Sequence, residues 1–169
     1  MSAHIRAEKT SDREAVYGVL ATAFPTAAEA RLVDVLRDSA DGPVSLVATE
    51  NQELVGHIMF TPVWLDSCAE LRLMGLGPMA VSPSMQGAGI GSLLVAAGLE
   101  QCREAAAGAV VVLGHPGFYP RFGFEPSSRW GIKSEYDVPE EVFMVLELLP
   151  DYLAGYSGVI RYDPAFAKV

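Results

Sequence analysis

A long stretch of the sequence carries no charge, and it constrains the fold more than any other feature: no Asp, Glu, Lys or Arg lies between Arg72 and Glu100. Glycine and proline residues interrupt it, so no continuous apolar run of about 20 residues, the length of a membrane-spanning helix, remains. The pattern instead predicts a strand over residues 71–81, a loop over 82–91 and a buried helix that begins near Ile90. We expect the function of the chain to lie at that loop.

The remaining sequence predicts a mixed α/β fold. Apolar residues at helical spacing follow two capping boxes, at residues 11–14 and 26–29, and a polar turn at 50–53 separates the two strands of a hairpin. Because a helix joins the strand at 71–81 to the next one, we expect those two strands to be parallel neighbours in a mixed sheet flanked by helices. A short helix is predicted over 116–122. Further strands are predicted over 5–7, 44–48, 54–65, 109–113, 143–148 and 159–162.

Two details refine this prediction around the neutral stretch. Pro78 lies inside the strand at 71–81, which a central strand tolerates only at a bulge or where its edge splays away. Gly108 is predicted to cap the C-terminus of the helix that follows the loop. The buried face of that helix is predicted to consist of Leu93, Leu94, Ala97 and Cys102.

Composition narrows the classes of function. The chain has 169 residues, half of them apolar, which fits a single domain over 1–169 with its core at about 4–149 and an extension at 150–169. With 12 Lys and Arg against 21 Asp and Glu, the net charge of −9 argues against nucleic acid and anionic membranes as partners. Two cysteines cannot supply a disulfide framework, and the charged first residues do not resemble a signal peptide. We therefore expect a cytoplasmic protein.

The loop sequence Gln86-Gly87-Ala88-Gly89-Ile90-Gly91 predicts an anion site. Glycines allow close approach of a ligand, and the N–H groups and positive dipole end of the following helix favour a phosphate or diphosphate. The loop has no lysine, which excludes a P-loop. Ser92 or Leu94 occupies the third glycine position of a dinucleotide fingerprint, so a nicotinamide cofactor is disfavoured.

Three segments carry a family resemblance. The loop matches the pattern Q-x-x-G-x-G/A with Gln86, Gly89 and Gly91; residues 76–83 precede it, and residues 113–124, which end in Gly-Phe, follow it. In these motifs and in its order of elements, the sequence resembles the GNAT superfamily of acyl-CoA-dependent N-acetyltransferases. The resemblance implies a central, mostly antiparallel sheet with one parallel, splayed strand pair.

The resemblance also implies an activity, the transfer of an acetyl group from the cosubstrate acetyl-CoA to a primary amine, with no metal. Tyr119 matches the family's general acid, although a tyrosine is a weaker acid than a thiol and a hydrogen bond to the sulfur is the alternative. The backbone N–H of Ala80 is expected to bind the thioester carbonyl. The residues expected to hold the cofactor are Met79, Ala80, Val81, Gln86, Gly87, Ala88, Gly89, Ile90, Gly91, Ser92, Phe118, Tyr119 and Phe122.

The acceptor and the general base stay open. The family builds its acceptor site from segments that correspond here to about residues 24–31 and 130–142, and the acceptor is expected to be a small-molecule or peptide amine. The intrinsic pKa of histidine suits a base, which makes His115 a candidate, and capping of the helix at Pro116 is its alternative role. The alternative function is a non-catalytic acyl-CoA-binding sensor or scaffold module. A homodimer is expected from the family alone.

Overall fold

A single nine-stranded sheet runs through the chain in the computed structural model, which describes residues 3–169. Three α-helices accompany it: α1 (Arg13–Ala23), α2 (Ala28–Ser39) and α3 (Ile90–Glu104). None of the helices in this part of the chain is long and apolar enough to cross a membrane. The strands are β1 (His4–Ala7), β2 (Val44–Glu50), β3 (Glu53–Leu65), β4 (Cys68–Val81), β5 (Ala109–Leu113), β6 (Glu125–Pro126), β7 (Ile132–Ser134), β8 (Phe143–Glu147) and β9 (Gly158–Arg161).

The sheet is mixed, as predicted. Its strands follow the order β1-β2-β3-β4-β5-β8-β6, and every neighbouring pair along it is antiparallel except β4 and β5. The β4–β5 pair is parallel because α3 carries the chain back to the end of the sheet from which β4 started. A second parallel pair, β7 with β9, was not expected from the sequence.

The segment expected as a C-terminal extension, residues 150–169, contributes a strand to this sheet. β9 pairs with β7 and with the end of β3 that extends beyond β2. Ile160 in β9 is fully buried in a cluster that also contains Leu65 of β3. The core therefore continues past residue 149, where the sequence analysis placed its boundary.

The helices pack on opposite faces of the sheet because successive strand residues point to opposite sides. Ile58 and Phe60 of β3 belong to the core beneath α3. Met59 of β3 and Ala80 of β4 belong to the core beneath α1 and α2. A ligand on the α3 face can therefore meet one on the α1 and α2 face only where the sheet itself opens.

The ends of the helices differ from the prediction. The capping box expected at residues 11–14 does not form; instead the Asp12 carboxylate accepts a hydrogen bond from the N–H of Lys9 at 2.6 Å. α3 ends before Gly108, and Ala106 takes the left-handed conformation with φ +64°. Gly108 already belongs to the sheet, since its N–H donates to the carbonyl of Arg72 at 2.8 Å.

A buried polar network fastens α2 to the sheet. The Arg37 guanidinium of α2 donates to both carboxylate oxygens of Glu8, at 3.1 and 2.6 Å. The Ser45 hydroxyl of β2 donates its single hydrogen to the same carboxylate at 2.8 Å. The His57 Nε2 atom lies 2.8 Å from the Ser45 hydroxyl oxygen, so it must be the donor of the hydrogen bond between them. The network fixes α2, which carries one wall of the site described next.

Candidate active site

β4 loses its partner on the β5 side at the point where the resemblance predicts a splay. β4 pairs with β5 only from Leu73 to Leu76, and the remainder of the strand, up to Val81, continues along β3 alone. Gly77 and Pro78 together lie opposite the single residue Met59 of β3, which makes a bulge. The expectation that Pro78 marks a bulge beside a splayed edge is confirmed.

Backbone direction decides which amides of β4 face this opening. Ser82 donates its N–H to the Val55 carbonyl at 2.8 Å, and the antiparallel register continues without a shift from there through Met79. By the alternation of an antiparallel ladder, the N–H of Ala80 faces β3, whereas those of Met79 and Val81 face the opening. The structure thus corrects the expectation for Ala80, whose side chain is also buried beneath α1 and α2.

The glycine loop leaves the start of α3 open. Gly87 and Gly89 have φ values of +81° and +86°, and a side chain added at either would meet no atom within 4 Å. The Gln86 side chain donates to the Val81 carbonyl at 3.0 Å, which ties the loop to the end of β4. The first helical bond of α3 runs from Leu93 to Gly89 at 3.1 Å, so the preceding N–H groups have no acceptor within the helix.

A cavity of about 570 Å³, here called the α3 cavity, lies between this loop, the end of β4 and the short 3₁₀ helix Tyr119–Phe122. Met85, Gly114 and Arg121 line it in addition to the expected residues. Ala88 and Phe122 do not line it. Ala88 is exposed, and the Phe122 ring packs against Phe118 with ring centres 5.3 Å apart. The expected cofactor residues that do line it are Met79, Val81, Gln86, Gly87, Gly89, Ile90, Gly91, Ser92, Phe118 and Tyr119.

Tyr119 lies at the inner end of the cavity. Its ring covers the α-carbon of Gly114 so closely that a Cβ there would lie 2.2 Å from it. Edge-to-face contacts with Phe118 and Phe124, at 5.0 and 5.7 Å between ring centres, hold the other sides of the ring. With only 7% of the residue exposed, burial raises the pKa of Tyr119 to about 12.

The structure does not place His115 as expected for a base that serves the amine. His115 is exposed on the rim of the α3 cavity, and its Nδ1 accepts the N–H of Gly117 at 3.1 Å. This bond closes the turn after β5, because the short helix predicted over 116–122 begins only at Tyr119. The side chain of Arg121 stacks on the Phe118 ring at 4.7 Å and lines the same cavity.

A second cavity, of about 460 Å³, lies on the opposite face and is here called the α2 cavity. Phe24, Glu29 and Tyr136 line it, and all three come from the segments expected to bind the acceptor. Tyr162 and Phe166 also line it, and the sequence analysis missed both because it placed residues 150–169 outside the core. Met79 and Tyr119 line both cavities, so the two cavities meet at the splay between β4 and β5.

The α2 cavity holds polar groups without partners. Oε1 of Glu29 is buried with no hydrogen bond to any described residue. Burial also raises the pKa of Tyr162, and the nearby Ser134 side chain partly offsets that increase. No hydrogen bond of normal geometry joins the Tyr162 hydroxyl to Ser134. No group of three His, Cys, Asp or Glu side chains among the described residues is placed to hold a metal ion.

Comparison with known proteins identifies this architecture. The uncharacterized N-acetyltransferase YhbS of Escherichia coli is 34% identical over 165 residues, which are 97% of this chain and 98% of YhbS. The uncharacterized N-acetyltransferase YjhQ of the same organism is 39% identical over 135 residues, covering 78% of this chain and 75% of YjhQ.

Solved structures agree with the sequence relatives. The structure of YhbS from E. coli in complex with CoA superposes with a TM-score of 0.92, covering 98% of this chain and 92% of that one. A GNAT family acetyltransferase from Brucella melitensis in complex with acetyl-CoA, also 34% identical, gives 0.80 over 98% of each chain. The sequence model of the acetyltransferase (GNAT) family matches residues 13–124. The resemblance inferred from the glycine loop is confirmed, and the chain belongs to the GNAT family of N-acetyltransferases.

Proposed function

We propose that this chain, acting as one catalytic domain, transfers an acetyl group from acetyl-CoA in the α3 cavity to a primary amine in the α2 cavity. The observation that carries the proposal is the junction of the two cavities at Met79 and Tyr119. A donor on one face and an acceptor on the other can react only where the sheet opens, and this is the opening.

The α3 cavity fits a diphosphate despite the net charge of −9. The unpaired N–H groups at the start of α3 and the positive end of its dipole attract an anion without a basic surface. Arg121 is the only lysine or arginine among the described residues that line the cavity. YhbS and the Brucella enzyme bind CoA and acetyl-CoA, respectively, in their structures, which supports the same ligand here.

The opening between β4 and β5 supplies the donor for the carbonyl oxygen. In place of Ala80, we assign this role to the backbone N–H groups of Met79 and Val81, which face the opening. One preorganised donor to the developing oxyanion of an acyl transfer stabilises the transition state by about 3 kcal/mol.

Acetyl-CoA supplies the acyl group: the amine nitrogen bonds to the acetyl carbon, the carbon–sulfur bond breaks, and CoA leaves as a thiolate. The nitrogen gives up its proton to water, and water protonates the released thiolate, so the protons balance. Tyr119 lies where it can donate to the departing sulfur. With its pKa at about 12 and a thiol near 8.5, complete proton transfer is uphill by roughly 5 kcal/mol. Tyr119 therefore stabilises the thiolate by a hydrogen bond and does not fully protonate it.

The α2 cavity is also the reason to prefer catalysis over the alternative of an acyl-CoA-binding sensor or scaffold. A module that only binds the cofactor needs the α3 cavity alone. A second cavity that reaches the same Tyr119 is what a transferase needs.

Ser92 in the first turn of α3 offers a direct test of the cofactor assignment. Ser92→Glu places a carboxylate among the N–H groups that we assign to the diphosphate, so the Kd for CoA should rise at least about tenfold. The same carboxylate interacts favourably with the helix dipole, so the melting temperature of the free protein should not fall. Isothermal titration calorimetry and thermal unfolding measure the two effects.

Ser92→Gln is the matched control, because it adds similar bulk without charge and should weaken CoA binding far less. Equal CoA affinity in wild type and Ser92→Glu would place the diphosphate elsewhere and refute the assignment.

A further inference from the structure

The charge of the α2 cavity restricts the amines that it can accept. Glu29 has the only charged side chain among the described residues that line it; no lysine, arginine or histidine side chain does. An amine that enters as an ammonium ion finds the Glu29 carboxylate and no competing cationic side chain among these residues. An acceptor with its own carboxylate would bury that anion close to Glu29 without a cationic side chain to pair with, which is strongly unfavourable.

The walls of the cavity are largely aromatic. The rings of Tyr136 and Tyr162 lie 5.4 Å apart at an angle of 36°, and Phe166 lies 5.4 Å beyond Tyr162. Phe24 and Leu32 extend this surface from the α2 side. Such walls favour an apolar or aromatic body and attract a cation at the ring faces, but they offer little to further charges.

Glu29 is the group suited to bind the ammonium. It lies in the first turn of α2, and its buried Oε1 lacks a hydrogen-bond partner in the described structure. A buried carboxylate oxygen without a donor is costly, and a donor that arrives with the substrate removes this cost. An ammonium ion supplies three such donors.

Resting on the function proposed above, we propose that the acceptor is a primary amine with a single positive charge on an aromatic or other apolar body, with no carboxylate beside the amine. Glu29 binds its ammonium group. The aromatic cluster of Tyr136, Tyr162 and Phe166 receives the body, and the nitrogen points toward the junction at Met79 and Tyr119.

The first experiment compares 2-phenylethylamine, phenylalanine and spermidine as acceptors, by release of free thiol from acetyl-CoA. Phenylalanine adds a carboxylate to the same aromatic body, so its kcat/KM should be lower by at least about a hundredfold. Spermidine replaces the aromatic body with further charges that must be desolvated, and should be at least about tenfold poorer. Equal or better use of phenylalanine or spermidine would overturn the inference.

The second experiment tests Glu29 itself. Glu29→Gln should raise the KM for 2-phenylethylamine about tenfold, because a charge-assisted hydrogen bond becomes a neutral one, with the Kd for CoA unchanged. Glu14→Gln is the matched control. Both glutamates lie in the first turn of a helix, but Glu14 is exposed on α1 and lines neither cavity. An unchanged KM in Glu29→Gln would remove Glu29 from the site.

These outcomes separate the inference from the proposed function. Failure of the wild-type protein to bind CoA would refute the function itself. If CoA binds but no amine is turned over, the same three amines are titrated into the protein saturated with CoA. Binding of 2-phenylethylamine that Glu29→Gln weakens supports the acceptor assignment, and its absence refutes it.

Discussion

At the scale of single residues, burial decides what Tyr119 can do. A tyrosine in the 113–124 motif could be found from the sequence, but the packing of its ring against Gly114, Phe118 and Phe124 could not. That packing raises the pKa to about 12, above the ordinary value of 10, and so makes the residue a weaker acid than its type implies. Burial therefore supports the hydrogen-bonding alternative that the weak acidity of tyrosine already suggested.

Tyr119→Phe tests this role. Loss of one hydrogen bond to the leaving sulfur should lower kcat about 10- to 100-fold. The Kd for CoA should stay within about twofold, because the ring and its contacts remain. Steady-state kinetics and calorimetry measure the two, with the exposed Tyr156→Phe as control. A wild-type kcat would show that the sulfur needs no donor from Tyr119.

The residues misassigned from the sequence share one cause. The register of β4 against β3 decides which of its amides face the opening. A pattern of residue types does not reveal that register. The sequence analysis therefore chose Ala80, whereas Met79 and Val81 face the opening. Likewise, whether His115 or Arg121 points at a ligand depends on how the loop after β5 closes. Only the glycine motif, which depends on backbone conformation alone, could be predicted residue by residue.

At the scale of elements, α3 shows the limit of apolar periodicity. Of the four residues predicted on its buried face, Leu94 and Cys102 are buried and Ala97 packs against the core, but Leu93 is 45% exposed. Gly98, which was not predicted there, is buried. Five consecutive apolar residues from Leu93 to Ala97 give no clear stripe, and glycine carries no hydrophobic signal. The structure explains Gly98: a Cβ there would lie 2.1 Å from the Phe60 ring of β3.

Two glycine-to-alanine substitutions should have opposite effects. Gly98→Ala forces α3 away from Phe60, which is completely buried, and should lower the free energy of unfolding by about 1–3 kcal/mol. Gly18→Ala in α1, where an added Cβ meets nothing within 4 Å, should raise it by about 0.5–1 kcal/mol. Urea denaturation of both variants checks this. Equal effects would mean that helix propensity, not the contact with Phe60, governs position 98.

β5, at Ala109–Leu113, is the strand whose bounds the sequence predicted without error. The strand predicted over 109–113 coincides with β5, because a run of β-branched residues in the middle of a sheet is apolar throughout. β7, with three residues, and β6, with two, are too short to show any alternation and were missed. The loop after β7 contributes Tyr136 to the α2 cavity, so the proposed acceptor site depends in part on a region whose strands were missed.

At the scale of the whole molecule, His57 couples stability to pH. It is completely buried, near Glu8 and Arg37, and burial lowers its pKa from 6.5 to about 4. Between those values the unfolded chain binds a proton that the folded chain does not, so stability must fall as the pH falls from 6.5 toward 4. Glu8 and Asp12, whose pKa values are lowered, add further losses at lower pH.

The free energy of unfolding should therefore drop by about 2 kcal/mol between pH 7 and pH 5 through His57 alone. His57→Gln keeps a donor for Ser45 but cannot titrate, and should lose most of this slope. Urea denaturation at the two pH values tests the assignment. If wild type and variant lose the same amount of stability between the two pH values, groups other than His57 cause the pH dependence.

The placement of the two cavities on opposite faces bears on the order of events in a catalytic cycle. In the assignment that we propose, acetyl-CoA and the amine reach the junction from opposite faces of the sheet, so neither has to pass through the other's cavity. We therefore expect that a ternary complex can assemble with either ligand first. The relative concentrations and dissociation rates of the two ligands then set which order prevails.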